Sequence, residues 1–235
     1  MSENSKVLHI AFGIPGTGKS TLFKKLALNK GSKAVFEANE FEGLYKVKEE
    51  NITNENGLTE RKKYLNFQSN LLPNAHKWCQ KQVEDSMKNG ISDIFQSNTN
   101  LNPCDMIVYL RLAYIYKYKV NIHIPNEGQF LQYETNLNEE GQIKKFKSHR
   151  SKKYFNEKIN VKNMEKVIPN KVLNTMITFY KKNGQILREI ENELINSNKI
   201  DSPKEWFKKI IEKFSKCKPF MNALAIQILK NNSSI

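Results

Sequence analysis

No run of apolar residues in this chain approaches the roughly 18 that a membrane-spanning helix needs. Cysteine is scarce. Cys79, Cys104 and Cys217 are the three in 235 residues, isolated from one another and without ligand spacing. That excludes a disulfide-dense scaffold or a cysteine-rich metal site, and the three read as reduced thiols. Met1 to Ser5 lacks the basic and then apolar pattern of a signal peptide. The expected compartment is therefore the cytoplasm, with the nucleus as the other setting. Arginine is also rare, occurring only as Arg61, Arg111, Arg150 and Arg188. Acidic side chains are in deficit, 24 against 38 Lys and Arg, for a net charge of +14. This excess fits a polyanionic partner such as nucleic acid. It fits equally the Lys/Asn bias of an A/T-rich coding sequence. Charge alone does not choose. No internal repeat is present.

What the chain does have is a hydrophobic share of 39% and a charged share of 26%, a globular composition rather than a disordered one. Its length suits one α/β domain with additions.

The most informative stretch is Gly13-Ile14-Pro15-Gly16-Thr17-Gly18-Lys19-Ser20, followed by Thr21. It has the spacing G-x-x-x-x-G-K-S of a phosphate-binding loop. Gly13, Gly16 and Gly18 let consecutive N–H groups converge on phosphate oxygens. Lys19 supplies a point charge for the β- and γ-phosphates, and the Ser20 hydroxyl can ligate Mg²⁺. Val7 to Phe12 before the loop suits a buried strand. Leu22, Phe23, Leu26 and Ala27 after it recur at helical spacing up to Gly31. Strand, loop and helix occur in the order that places phosphates at a helix N-terminus. The expected ligand is a nucleoside triphosphate.

Further along, Lys33 to Phe36 reads as a second strand. It ends in the acidic cluster Glu37, Glu40 and Glu42, at the sheet edge where α/β enzymes place their chemistry. Residues 46–59 are polar and read as a surface excursion, and Thr59 to Leu72 reads as a helix. Pro73 suits the first turn of the next helix, running to Asn89-Gly90. Ile91 to Phe95 is the third strand, ending in Gln96-Ser97-Asn98-Thr99-Asn100. Asn102 caps and Pro103 opens a helix to about Lys117, and Lys119 to Ile124 is the fourth strand. This alternation implies a parallel sheet with helices on both faces.

Residues 126–153 break the rhythm and read as a hairpin insertion ending in a basic run. Lys144, Lys145, Lys147, Arg150, Lys152 and Lys153 can contact a phosphate backbone, with Phe146 or Tyr154 free to stack on a base. The same run also reads as a solvated loop. Tyr154 to Lys162 returns to helix. A long helix follows over 170–196, then an amphipathic one opened by Asp201, Ser202 and Pro203, then an apolar segment from Phe220 to Leu229.

With these pieces placed, the chain resembles the P-loop polynucleotide 5′-hydroxyl kinases. The resemblance rests on GIPGTGKSTL at 13–22, NEF at 39–41, AHKW at 75–78, SNTNLNP at 97–103 and VIPNKVLNTM at 167–176. It implies an adenylate-kinase-like α/β core, with a kinase-like domain over 1–185 and a helical extension over 186–235. It also implies ATP and Mg²⁺ as cofactors and γ-phosphate transfer to the 5′-hydroxyl end of RNA or DNA. Gly13, Pro15, Gly16, Thr17, Gly18, Lys19, Ser20 and Thr21 match the nucleotide loop, and Ser20 matches the metal position. Asn39 stands where the family carries the first of an acidic pair, its general base. An amide cannot take that proton, which leaves Glu37 or Glu40 to do so. Asn98 matches a position beside the nucleic acid. The lid segment offers Lys162 where the family offers arginine, and Arg150 could reach in from the insertion. Two other readings stay open: a small-molecule kinase resembling the zeta toxins, and a catalytically degenerate ATP-binding module that docks nucleic acid or protein.

Overall fold

The computed structural model describes residues 5–15, 17–53, 57, 59–124, 165–166, 170–214 and 217. The first strand, β1 (Val7–Ala11), is almost wholly buried, as its apolar run requires. Helix α1 (Lys19–Asn29) follows the glycine loop, β2 (Val35–Phe36) follows α1, and a 3₁₀ turn covers Ala38–Glu40. Next come strands β3 (Tyr45–Thr53) and β4 (Thr59–Phe67), a 3₁₀ turn over Ser69–Leu71, and α2 (Leu72–Lys88) with Pro73 in its first turn. Strand β5 (Asp93–Gln96) leads to a 3₁₀ turn at Pro103–Met106 and to α3 (Ile107–Ile115). Strand β6 (Lys119–His123), the short β7 (Glu165–Lys166), α4 (Asn170–Asn196) and α5 (Pro203–Lys213) complete the described elements.

Strands β2, β5, β1 and β6 form a four-stranded sheet in that spatial order, with every pairing parallel. Side chains alternate across β1, since successive strand residues point to opposite faces. Leu8, Ile10 and Phe12 enter the large core. It also takes Val83 and Met87 of α2, Leu110 of α3, Leu187 and Ile190 of α4, and Trp206 and Phe207 of α5. On the other face, Ala11 packs with Phe95 and with Phe23 and Ala27 of α1. The result is an α/β protein with a parallel sheet flanked by helices.

Two expectations from sequence are corrected. Residues 59–72 are not a helix: 59–67 form β4, and most of the 46–59 excursion is strand β3. β3 and β4 pair antiparallel from Tyr45↔Phe67 to Thr53↔Thr59, and β4 pairs with β7 in a second sheet. The alternation that marks a strand is muted here, because Leu65 is buried while Val47 and Phe67 lie exposed. The cysteines are not three thiols either. Cys104 and Cys217 form a disulfide across 113 residues of sequence, and Cys79 is free and buried. Spacing along the chain carries no sign of that pair, because α5 brings Cys217 back to the 3₁₀ turn before α3. The 126–153 insertion, the 154–162 helix and the 220–229 segment lie outside the described residues.

Caps follow the local sequence. The Ser202 side chain accepts from Glu205 N at 3.3 Å at the start of α5, and Asn102 accepts from Cys104 N at 3.2 Å. In mid-α4, Gly184 lets the helix press on the Phe12 ring, where an added Cβ would sit 3.2 Å from Cε1. Among the described residues, no helix is long and apolar enough to cross a membrane.

Candidate functional site

Everything proposed for chemistry on the described residues lies at the carboxyl ends of the parallel strands, where open α/β sheets bind ligands. The exit from β1 is pinned on both sides. Phe12 N donates to His123 O and Gly13 N to Thr99 O, each at 3.0 Å. Asn100 sits in the left-handed region (φ 47°), and its amide donates to Ala11 O and Gln96 Oε1, both at 2.6 Å. Gly18 turns the loop into α1 at φ 83°, a conformation cheap only for glycine. Thr17 Oγ1 and Lys19 Nζ donate to Ile14 O at 2.9 and 2.8 Å, folding the lysine back over the loop.

The end of β2 brings Glu37 against this turn. Ser20 Oγ donates to Glu37 Oε2 at 2.6 Å, and Ser97 Oγ, from the end of β5, donates to the same oxygen at 3.3 Å. The other carboxylate oxygen accepts from Asn39 Nδ2, while Asn39 Oδ1 accepts from Tyr45 OH at 3.0 Å. Burial first, and then the Glu37 charge, push the Tyr45 phenol far above its usual range, so it stays a donor. Asn39 is therefore a clamp between the hairpin and Glu37. Glu40 lies 3.9 Å from Lys24, one turn after Ser20 on α1.

Asn98 is buried. Its Oδ1 accepts from Ala38 N at 2.7 Å, and its Nδ2 donates to Tyr109 OH at 3.4 Å and lies 3.6 Å from Cys79 Sγ. It holds the turn that carries Glu37 and Asn39. Burial pushes the Cys79 thiol up to about 11, which leaves it protonated and unreactive at neutral pH. Pro15 and Thr21 lie on the same loop and first helical turn. Gly16, Arg150, Lys162 and the basic run Lys144, Lys145, Lys147, Lys152 and Lys153 fall outside the described residues.

Beside the loop lies a pocket of about 310 Å³, lined in part by Thr17, Gly18, Lys19, Thr21, His123 and Ile124. Among the described residues, no group of three or more His, Cys, Asp or Glu is placed to hold a metal ion. The hydroxyls of Ser20 and Ser97 and the Glu37 carboxylate are nonetheless hard oxygen donors, the type that suits Mg²⁺. Three members of this arrangement were not singled out from sequence: Ser97, Tyr45 and Asn100. Ser97 and Asn100 flank Asn98 in the motif and were within reach. Tyr45 was hidden with its hairpin.

Fold and site together define an α/β protein with a glycine loop at a helix N-terminus and a carboxylate resting on the loop serine. No family model matches the chain. Among characterised proteins it is similar to NEDD4-binding protein 2 of Homo sapiens, 28% identical over 123 residues. The matched stretch is 51% of this chain but 6% of that protein.

Proposed function

We propose that the chain is a P-loop phosphotransferase of adenylate-kinase-like fold that moves the γ-phosphoryl group of ATP to the 5′-hydroxyl end of a polynucleotide. The observation that carries this reading is the Ser20–Glu37 contact of 2.6 Å. It joins the loop helix to the end of the neighbouring strand, where an acceptor hydroxyl could meet the phosphates. Loop N–H groups and Lys19 bind the β- and γ-phosphates, and Ser20 would hold Mg²⁺. When bound, Mg²⁺ offsets the negative charge that gathers on the phosphate oxygens. The acceptor 5′-oxygen bonds to the γ-phosphorus as the bond to the β–γ bridging oxygen breaks, leaving ADP. Glu37 takes the acceptor proton, since Asn39 cannot. Arg150 or Lys162 closes over the transferring group, and the 144–153 run tracks the nucleic-acid backbone.

A second reading is favoured by one observation, the Asn39 amide locked between Tyr45 and Glu37. In it the loop binds ATP without transfer and the chain docks a nucleic acid or, as the relative's name suggests, a protein. The experiment is γ-phosphate transfer from Mg-ATP to 5′-hydroxyl RNA and DNA oligonucleotides, beside 5′-phosphorylated controls and Lys19→Ala. Transfer that needs both the free hydroxyl and Lys19 supports the kinase. ATP binding without transfer would contradict it and leave the small-molecule kinase and the binding module.

A further inference from the structure

The α1-facing side of the sheet holds a polar row that the phosphate chemistry above leaves unused. Lys30 Nζ lies 2.7 Å from Asp93 Oδ1, and His9 Nε2 lies 3.2 Å from the same oxygen. His9 Nδ1 in turn lies 3.0 Å from His123 Nε2. His9 is 5% exposed and stacks on Phe95 with ring centroids 4.3 Å apart. The protons in this row can be assigned. Burial outweighs the Asp93 carboxylate and keeps His9 below its usual range, so the ring is neutral at pH 7. An ionised carboxylate only accepts, so the single proton of His9 sits on Nε2. His9 Nδ1 then carries a lone pair and must accept from His123 Nε2–H. Burial first, and then His9, hold His123 down to about 4, so it too is neutral and its Nδ1 carries a lone pair.

His123 also lines the pocket beside Gly18, Lys19 and Thr21. The lysines there, Lys19 and Lys25, can only donate. That suits phosphate oxygens, whereas a donor on a sugar or base needs an acceptor, which His123 Nδ1 supplies beside the hydroxyls of Thr17 and Thr21. We infer that His123, fixed in its Nε2–H tautomer by the buried His9–Asp93 pair, accepts a hydrogen bond from a nucleoside donor, a ribose hydroxyl or an exocyclic amine, of a nucleotide seated on the loop. This rests on the phosphate-site reading above. His123 is the specificity residue, and His9 and Asp93 position it.

The test uses the full chain and calorimetric binding of ATP and of inorganic tripolyphosphate to wild type and His123→Phe. Loss of one well-placed hydrogen bond weakens ATP about tenfold in the variant. Tripolyphosphate, which has no nucleoside, binds both proteins alike and shows that the variant is folded. In wild type, 2′-deoxy-ATP and purine riboside triphosphate separate hydroxyl from amine: the one lacking the donor binds as weakly as ATP binds the variant. Equal ATP affinity in wild type and His123→Phe overturns the inference and leaves the phosphate site standing. Wild type that binds neither ATP nor tripolyphosphate overturns both. Nitrogen-15 NMR of the free protein reads the tautomer directly. A bare Nδ1 on His123 is expected, and a protonated one overturns the assignment.

Discussion

At the scale of single residues, the site turns on which side chain holds which. Asn39 looked from sequence like an absent base, and the structure gives it a different job. Its amide donates to Glu37 and accepts from Tyr45. Tyr45→Phe removes one neutral hydrogen bond, and about 1 kcal/mol of stability should go with it, read by urea unfolding. Asn98→Ala should cost more, about 1–3 kcal/mol, because the buried Ala38 N–H is left without its 2.7 Å acceptor. The loop residues Gly13 to Thr21 were legible because glycine, lysine and hydroxyl types at fixed spacing have few other uses. Asn39 and Asn98 were legible as positions but not as roles. An amide's function depends on which neighbours it meets, and those come from other elements.

At the scale of elements, β1 was legible as a buried strand, but what its two faces do was not. Leu8 and Ile10 serve the large core, while His9 on the other face meets Asp93 of β5 and His123 of β6. That meeting sets a pH dependence. Both histidines titrate below 6.5 in the fold, His123 at about 4. Between those values the unfolded chain binds protons that the native one refuses, so stability falls as pH falls. Burial pushes Asp93 up, but its bonds to Lys30 and His9 prevail and hold it below the usual carboxylate range, which adds a loss in the same direction at lower pH. Urea unfolding should show a decline on the order of 2 kcal/mol between pH 6.5 and 4, flattened in His123→Gln, which keeps an N–H for His9 but does not titrate. The β3–β4 hairpin was misread for a physical reason. A ribbon whose described side chains are mostly exposed lacks the alternation that distinguishes a strand, and in the sequence Tyr64, Leu65, Leu71 and Leu72 mimic helical spacing. α5, by contrast, was plain from its Ser202 cap and apolar stripe. Trp206→Ala should cost about 3–5 kcal/mol, since the indole is fully buried and its N–H donates to Ile200 O at 2.6 Å.

At the scale of the molecule, the parallel sheet and its flanking helices followed from the strand–helix alternation. The closure of the C-terminal helices onto them did not. α5 shares one core with β1, and the Cys104–Cys217 bond ties its far end to the turn that follows the Ser97–Asn102 segment. Closing a loop of 113 residues should contribute about 2–4 kcal/mol, lost in Cys217→Ser and seen as a lower unfolding midpoint. A reducing cytoplasm would oppose that bond, so mass spectrometry after thiol trapping in cells also bears on the compartment.

The central claim is that the chemistry runs through Ser20 and Glu37 and that residue 39 holds Glu37 in place. Its most direct test is the rate of γ-phosphate transfer to a 5′-hydroxyl oligonucleotide by Glu37→Gln and Asn39→Asp, side by side with wild type. Glu37→Gln should lose about 10²–10⁴-fold, the contribution of a positioned base. Asn39→Asp should gain nothing, because it sets a second carboxylate against the first and removes the amide that donates to it. A near-normal rate in Glu37→Gln with a large gain in Asn39→Asp would contradict the account and make residue 39 the site of a lost base.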